Sequence, residues 1–269
     1  MRKRDRRDET SMRTPFDEVV DQIRRRGFHN HRLEDHSGIV SRGIVRDLRA
    51  KCKPFEQDFR GGRIREWLDF PSPGGRARKL DLVVAERGSK QDEPDLGRLR
   101  LCIENKSVIT AHRNRTNRYD DLSDVLGVLH QKKPDAILIA TVLVGLAENV
   151  LNVPDRVKPF VPAGQFSKRI LPRLSSGDDT LWAKFPHAVS RNRPHDPGRT
   201  VKKFRELPIR PPGRTDLVAY DYVLLVPVFV DNVGQPRVVR DNDLSIDVDR
   251  EYRAMLDRIC KAYTARWHL

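Results

Sequence analysis

Apolar residues recur at helical spacing in two segments near the amino terminus. Thr14 and Pro15 begin the first segment, as a capping residue and a first-turn proline typically do. The second segment begins near Asp35 or Ser37. The apolar positions are Phe16, Val19, Val20 and Ile23 in the first segment and Ile39, Val40, Ile44, Val45 and Leu48 in the second. We therefore predict two amphipathic helices that each bury one face.

The period changes to that of β-strands after about Arg63. Turn-rich or polar stretches separate the segments RIREWLDF, RKLDLVVAE and LRLCIENKSV. In the third segment Leu99, Leu101 and Ile103 occupy one face, and Cys102, Glu104 and Lys106 occupy the other. We predict three strands, of which the last two pair antiparallel.

A further helix and a buried strand follow. Asp120 or Asp121 is a suitable cap for a helix that ends at Pro134. The run DAILIATVLV is rich in β-branched residues, which is typical of a strand buried on both faces. Residues 37 to 145 then have the order helix, three strands, helix, strand, and this order predicts an α/β fold with a mixed central sheet flanked by helices.

The rest of the chain divides into a poorly patterned stretch and an ordered end. Residues 151 to 215 are rich in Pro, Gly and Arg, with one short helical pattern, FSKRILPRL. DLVAYDYVLLVPVFV predicts another strand, in which Pro227 indicates an edge or a bulge. A final helix is predicted from about Asp247 to Trp267. We expect a basic arm and helix over 1–36, a core over 37–150, and an elaborated C-terminal extension over 151–269 that completes the sheet.

Charge favours an anionic partner. Lysine and arginine outnumber the acids 52 to 38, which gives the 269-residue chain a formal charge of +14. Such an excess attracts nucleic acid, although a basic protein without a nucleic-acid partner remains an alternative.

Cysteines and apolar runs indicate the compartment. The three cysteines, Cys52, Cys102 and Cys260, are widely spaced, so we expect neither a disulfide framework nor a zinc site. The amino terminus lacks an apolar signal segment, and the longest apolar run, 136–147, is too short to cross a bilayer. These features predict a cytoplasmic protein that does not contact a membrane.

Three charged residues on the two predicted antiparallel strands carry the candidate chemistry. Asp81 lies on the first strand, and Glu104 and Lys106 lie two residues apart on one face of the second. Carboxylates on neighbouring strands can hold Mg²⁺, and a nearby cation can position a nucleophile for phosphodiester hydrolysis. The alternative is a solvent-facing ladder of charges on an amphipathic hairpin.

These residues resemble the PD-(D/E)XK nuclease superfamily, which includes most type II restriction endonucleases. The matching segments are LDLVV around Asp81 and CIENKS around Glu104 and Lys106, within about residues 37–145. Leu80 stands where the family name has proline. The resemblance implies a restriction-endonuclease-like core of order αβββαβ, in agreement with the order predicted from the pattern.

The resemblance also implies a function and roles for the residues. Asp81 and Glu104 would be Mg²⁺ ligands, the carbonyl of Asn105 a third ligand, and Lys106 the group that activates or orients water. The implied activity is that of a Mg²⁺-dependent DNA endonuclease, most similar to a type II restriction enzyme, that acts on double-stranded DNA. A repair or junction-cleaving nuclease, or a nucleic-acid-binding module without cleavage, remains an alternative, and the chain could act as a homodimer.

The segment after the candidate catalytic strand is rich in Arg and Asn, so we expect it to line the mouth of the site and contact DNA. Its candidate DNA-binding residues are His112, Arg113, Asn114, Arg115, Asn117 and Arg118. Weaker candidates for phosphate contact are the basic arm 2–7 and the stretch 191–203. An additional acid sometimes joins the metal site in this family, and the available candidates are Glu34, Asp47 and Glu66.

Overall fold

The computed structural model describes residues 12–26, 35–72, 79–87, 94–109, 112–151, 189–211, 213–232 and 234–268. The basic arm 2–7, Glu34 and the predicted helix FSKRILPRL lie outside the described residues. None of the helices in these ranges is long and apolar enough to cross a membrane.

Three helices precede the sheet. They are α1 (Pro15–Arg26), α2 (Asp35–Lys51) and α3 (Lys53–Arg60). The first two match the predicted amphipathic helices. The third helix, α3, was not predicted. Cys52 separates it from α2 and is the N-cap of α3, with an extended backbone, and Pro54 lies in the first turn of α3.

Six strands form one mixed sheet. They are β1 (Ile64–Pro71), β2 (Lys79–Arg87), β3 (Pro94–Val108), β4 (Ile137–Gly145), β7 (Tyr222–Phe229) and β8 (Arg237–Val238). Their order across the sheet is β1-β2-β3-β4-β7-β8. The β1–β2, β2–β3 and β7–β8 pairs are antiparallel, and the β3–β4 and β4–β7 pairs are parallel. The predicted α/β fold with a mixed sheet is confirmed.

The remaining described elements are a separate two-stranded sheet and three helices. A short antiparallel pair is formed by β5 (Asn149–Leu151) and β6 (Val189–Arg191). The helices are α4 (Arg115–Lys132), α5 (Asp196–Phe204) and α6 (Val248–Trp267). Helix α6 contacts α2, α3 and β7, whereas α4 contacts α5 and β3. Every residue of β4 is buried, as expected for a strand covered on both faces.

Helix α4 begins earlier than predicted. Its first residue is Arg115 and not the residue after Asp120 or Asp121, and a 3₁₀ turn, His112–Asn114, precedes it. The polar residues at its start were interpreted as a loop because the apolar stripe begins only at Leu122. Buried His112 anchors the turn: its Nε2 lies 2.9 Å from the carbonyl oxygen of Gly145 and its Nδ1 lies 2.7 Å from Thr200 Oγ1.

Gly145 allows the chain to leave β3 close to the end of β4. A Cβ atom at this position would lie 2.4 Å from the carbonyl oxygen of Ile109. Any larger residue would push the segment between β3 and α4 away from the sheet.

Pro227 is tolerated because only one short strand, β8, lies beyond β7 in the sheet. The strand beyond β7 is only two residues long, and its pairs are Val228 with Val238 and Phe229 with Arg237. The carbonyl of Pro227 still accepts a hydrogen bond from the Val239 amide at 2.9 Å. The proline therefore lies one short strand from the sheet edge, where a missing donor costs little.

The expectation that no disulfide forms is wrong for two of the three cysteines. Cys52 and Cys260 are joined in a disulfide with their Cα atoms 5.3 Å apart, and Cys102 is a buried free thiol. Spacing arguments did not reveal the pairing, because 208 residues separate the two cysteines and the packing of α6 against α3 brings them together. The bond ties the start of α3 to α6.

We expect reduction of this disulfide to lower the stability of the fold. Closing a long loop restricts the unfolded chain, and loss of such a bond typically costs about 2–5 kcal/mol. Thermal unfolding with and without reductant should show a lower Tm in the reduced protein. The Cys260→Ser variant should have the same Tm with and without reductant. A wild-type Tm that does not change when reductant is added would contradict the pairing.

Candidate active site

Strands β2 and β3 separate at the residues that carry the candidate chemistry. Their pairing ends at Leu82 opposite Ile103, although β2 continues to pair with β1 as far as Lys79 opposite Pro71. Strand β3 continues to pair with β4 up to Val108 opposite Val144. Beyond Ile103 the two central strands therefore form a fork.

Two carboxylates bridge the fork in place of backbone pairing. Glu104 Oε1 accepts a hydrogen bond from the Asp81 amide at 3.2 Å. Asp81 Oδ2 in turn accepts from the Asn105 amide at 2.6 Å. Each acid thus satisfies a backbone donor at the opening of the fork, which fixes both side chains against the sheet.

Lys106 completes the group. Its Nζ lies 3.1 Å from Glu104 Oε2, and the exposed fractions of the two side chains are 17% and 2%. The structure therefore places Asp81, Glu104 and Lys106 side by side and largely out of solvent. A fully solvent-facing ladder of charges does not describe this arrangement.

Burial raises the proton affinity of both acids. Desolvation raises the pKa of Glu104 to about 7, with a further contribution from the negative charge of Asp81 and an opposing one from Lys106. Desolvation also raises the pKa of Asp81, against the charge of Lys106 and the hydrogen bonds from Asn105 and Ser37. Two adjacent buried carboxylates are unfavourable without nearby positive charge, so the site favours a cation.

The pKa of Lys106 is above its ordinary value. Burial lowers it, but the charges of Glu104 and Asp81 outweigh that effect. Asp121, on α4, adds to the same stabilisation of the ammonium group. Lys106 is therefore held as a cation at neutral pH.

Asn105 fastens the fork to its surroundings. Its Nδ2 donates to Ser41 Oγ at 2.7 Å and to the Ser37 carbonyl at 3.3 Å, both on α2. Its Oδ1 accepts from Thr141 Oγ1 of β4 at 2.7 Å. One amide side chain thus connects the candidate catalytic strand to a helix and to the neighbouring strand.

Sequence reasoning missed these supporting residues. Ser41 and Ser37 lie seven and eleven residues before Leu48, the last member of the apolar stripe of α2, and so continue that stripe. Thr141 is the polar residue of the apolar strand β4. Small polar residues on buried surfaces indicate partners inside the protein. This signal was present in the sequence, but it did not identify Asn105 as the partner.

The candidate DNA-binding residues divide into two groups. His112 is 1% exposed with both ring nitrogens engaged, and burial lowers its pKa, so we leave it out of any DNA-facing surface. Arg115 is half-buried and donates to the His112 carbonyl at 3.1 Å. The exposed members are Arg113, Asn114, Asn117 and Arg118.

Two of the candidate additional acids have positions in the structure. Asp47 pairs with Arg46 at 2.9 Å and accepts a hydrogen bond from Tyr252 at 2.7 Å, so it serves the packing of α2 against α6. Glu66 lies exposed on β1 opposite Val84. Within the described residues no group of three or more His, Cys, Asp or Glu side chains could hold a metal ion.

Comparison with family models, with curated proteins and with solved structures gave no match to this chain. Functional inference therefore rests on the geometry of the fork.

We expect Thr141→Val to destabilise the protein by about 1–3 kcal/mol, because it leaves Oδ1 of the half-buried Asn105 without its donor. Urea unfolding of the variant and the wild type measures the difference. Thr116→Val, at an exposed position of α4, is the matched control and should stay within about 0.5 kcal/mol. Equal stability of the two variants would show that the Asn105 bridge contributes little.

Proposed function

We propose that this chain is a Mg²⁺-dependent DNA endonuclease with a restriction-endonuclease-like core, most similar in function to type II restriction enzymes. The observation that carries the proposal is the fork of β2 and β3, where Asp81, Glu104 and Lys106 meet in a largely buried group. Simple nucleic-acid binding does not require buried carboxylates beside a phosphate chain.

The order of elements supports this assignment. Helix α2, strands β1 to β3, helix α4 and strand β4 follow one another along the chain, with the short α3 inserted after α2. This is the αβββαβ order that the resemblance implies. The later strands β7 and β8 extend the same sheet on the side of β4.

The donor set fits Mg²⁺. Asp81 and Glu104 offer hard carboxylate oxygens from adjacent strands. Burial raises the pKa of each, and a bound cation would lower it again. We propose the backbone carbonyl oxygen of Asn105 as a third ligand. A backbone carbonyl is not one of the His, Cys, Asp and Glu side chains considered above as metal ligands. A bound Mg²⁺ would supply Lewis-acid polarisation of the phosphate and a more acidic water.

Lys106 has the position and charge to orient the reacting groups. Its ammonium contacts Glu104 and is kept protonated by the surrounding acids, so it can donate hydrogen bonds to a nucleophilic water or to a phosphate oxygen. The proposed reaction is hydrolysis of a DNA phosphodiester to 5′-phosphate and 3′-hydroxyl ends.

The proposed partner is double-stranded DNA. The formal charge of +14 attracts a polyanion, and the exposed residues Arg113, Asn114, Asn117 and Arg118 lie at the start of the helix that follows β3. Cutting both strands in one encounter requires two sites, so we propose that the chain acts as a homodimer. We also propose a cytoplasmic location, where DNA is present, although the Cys52–Cys260 disulfide is of a kind more common in oxidising compartments.

We expect Mg²⁺ to stabilise the folded protein in the absence of DNA. At ten times its Kd a ligand that binds only the folded state adds about 1.4 kcal/mol, and here it also relieves the repulsion between two buried acids. Thermal unfolding over a Mg²⁺ titration measures the effect. Asp81→Asn should remove it, whereas Asp243→Asn, at an exposed position, should retain it. Equal stabilisation of both variants would place the bound metal elsewhere.

We expect Lys106→Ala to abolish DNA cleavage, because it removes the cation that positions the reacting groups. Plasmid DNA is incubated with protein, with Mg²⁺ and with chelator, and the products are separated on a gel. Lys261→Ala, at an exposed position of α6, is the matched control and should cut as the wild type does.

The products also distinguish the related functions. Discrete fragments support a restriction enzyme, and a smear supports a repair or non-specific nuclease. A retarded but uncut band with wild-type protein supports a binding module, and wild-type cutting by Lys106→Ala overturns the site assignment.

A further inference from the structure

Helix α5 has one buried face and one strongly basic outer face. Pro197, Thr200, Val201 and Phe204 are buried against the protein. The exposed cations on and beside the helix, which we call the α5 surface, are Arg193, Arg199, Lys202 and Arg205. Arg199 and Lys202 are three residues apart, so they project from the same side, opposite the buried face.

No carboxylate in the described parts of the chain forms an ion pair with any of these four side chains. This distinguishes them from the exposed arginines of the groove between α2 and α3. In the groove of about 530 Å³ between α2 and α3, Arg46, Arg49 and Arg60 line the walls. There Arg49 and Arg60 both pair with Glu56, at 2.6 and 2.8 Å, and Arg46 pairs with Glu18 at 2.8 Å. The α5 surface therefore keeps its positive charge available for an external anion.

The α5 surface adjoins the elements that carry the candidate site. Thr200 contacts His112, which also contacts the carboxyl end of β4 at Gly145. Lys203 Nζ lies 4.1 Å from the centre of the Tyr119 ring on α4. Asp121, two residues further along α4, acts on Lys106 of the site. Helix α5 therefore packs beside α4, which follows the exposed Arg113 and carries the exposed Arg118 in its first turn.

The composition of this surface identifies the kind of partner. The large apolar side chains exposed in the described residues are Ile209, Leu217 and Val218, and none of them belongs to the α5 surface. A stable protein interface normally has an apolar centre, whereas contact with a phosphate chain relies mainly on cations and needs no apolar centre. Arginine also matches phosphate oxygens through paired hydrogen bonds.

We infer that the α5 surface binds the phosphate backbone of duplex DNA outside the catalytic fork and sets much of the affinity and its salt dependence. This inference rests on the proposed function, because the DNA that the α5 surface binds is the substrate of the proposed active site. It requires contact with phosphates only and gives no sequence specificity.

The test is the salt dependence of binding without cleavage. Full-length protein is titrated into a fluorescently labelled DNA duplex in chelator, and the anisotropy is followed at several salt concentrations. Each phosphate contact contributes about −0.9 to the slope of log K against log salt. The double variant Arg199→Gln/Lys202→Gln should therefore have a slope shallower by about 1.8.

The matched control changes two cations that both pair with one carboxylate, Glu56. Arg49→Gln/Arg60→Gln removes the same charge from the groove between α2 and α3 and should leave the slope unchanged. All four positions are exposed, so both double variants should unfold near the wild-type temperature.

The outcomes separate this inference from the proposed function. An unchanged slope in Arg199→Gln/Lys202→Gln, or an equal change in the control, overturns the inference even if the wild type cuts DNA with Mg²⁺. If the double variant loses more affinity for single-stranded DNA than for duplex DNA, the assignment of duplex DNA as the bound form is overturned. A shallower slope as predicted supports the surface even if the wild type fails to cut, a result that would count against the nuclease alone.

Discussion

The structure depends on a local loss of strand pairing between β2 and β3. Beyond Leu82 and Ile103 the backbone amides of Asp81 and Asn105 have no backbone acceptor on the opposite strand. The side-chain carboxylates of Glu104 and Asp81 accept their hydrogen bonds instead. The same hydrogen bonds that stop the sheet from fraying also bring two acids together. The geometry of the candidate site is thus a consequence of how the sheet ends its antiparallel pairing.

Keeping charged groups in this place requires support from several sides. The acids are buried enough for their pKa values to rise, and Lys106 offsets part of the repulsion between them. Asn105 connects the fork to Ser41 on one side and Thr141 on the other. Such a network limits the movement of the strand ends, as the proposed Mg²⁺ site would require.

The alternation of β2 and β3 was enough to predict the hairpin and the common side of Asp81, Glu104 and Lys106, because a strand has a period of two. The pattern could not predict the fork, which depends on where β1 and β4 hold their neighbours. The predicted start of α4 was wrong because His112 anchors the turn before the helix, and its partners Gly145 and Thr200 lie far along the chain. The disulfide between Cys52 and Cys260 was missed for the same reason.

The carboxyl-terminal elements hold the helix that covers the fork. Tyr252 of α6 donates to Asp47 of α2 at 2.7 Å, and Arg240 pairs with Asp17 of α1 at 2.9 Å. The disulfide adds a covalent link from α6 to the start of α3. Because α2 carries Ser41, which binds Asn105, a shift of α6 would be transmitted to the fork through packed helices. The carboxyl-terminal residues therefore also support the helix that holds Asn105, more than one hundred positions earlier in the chain.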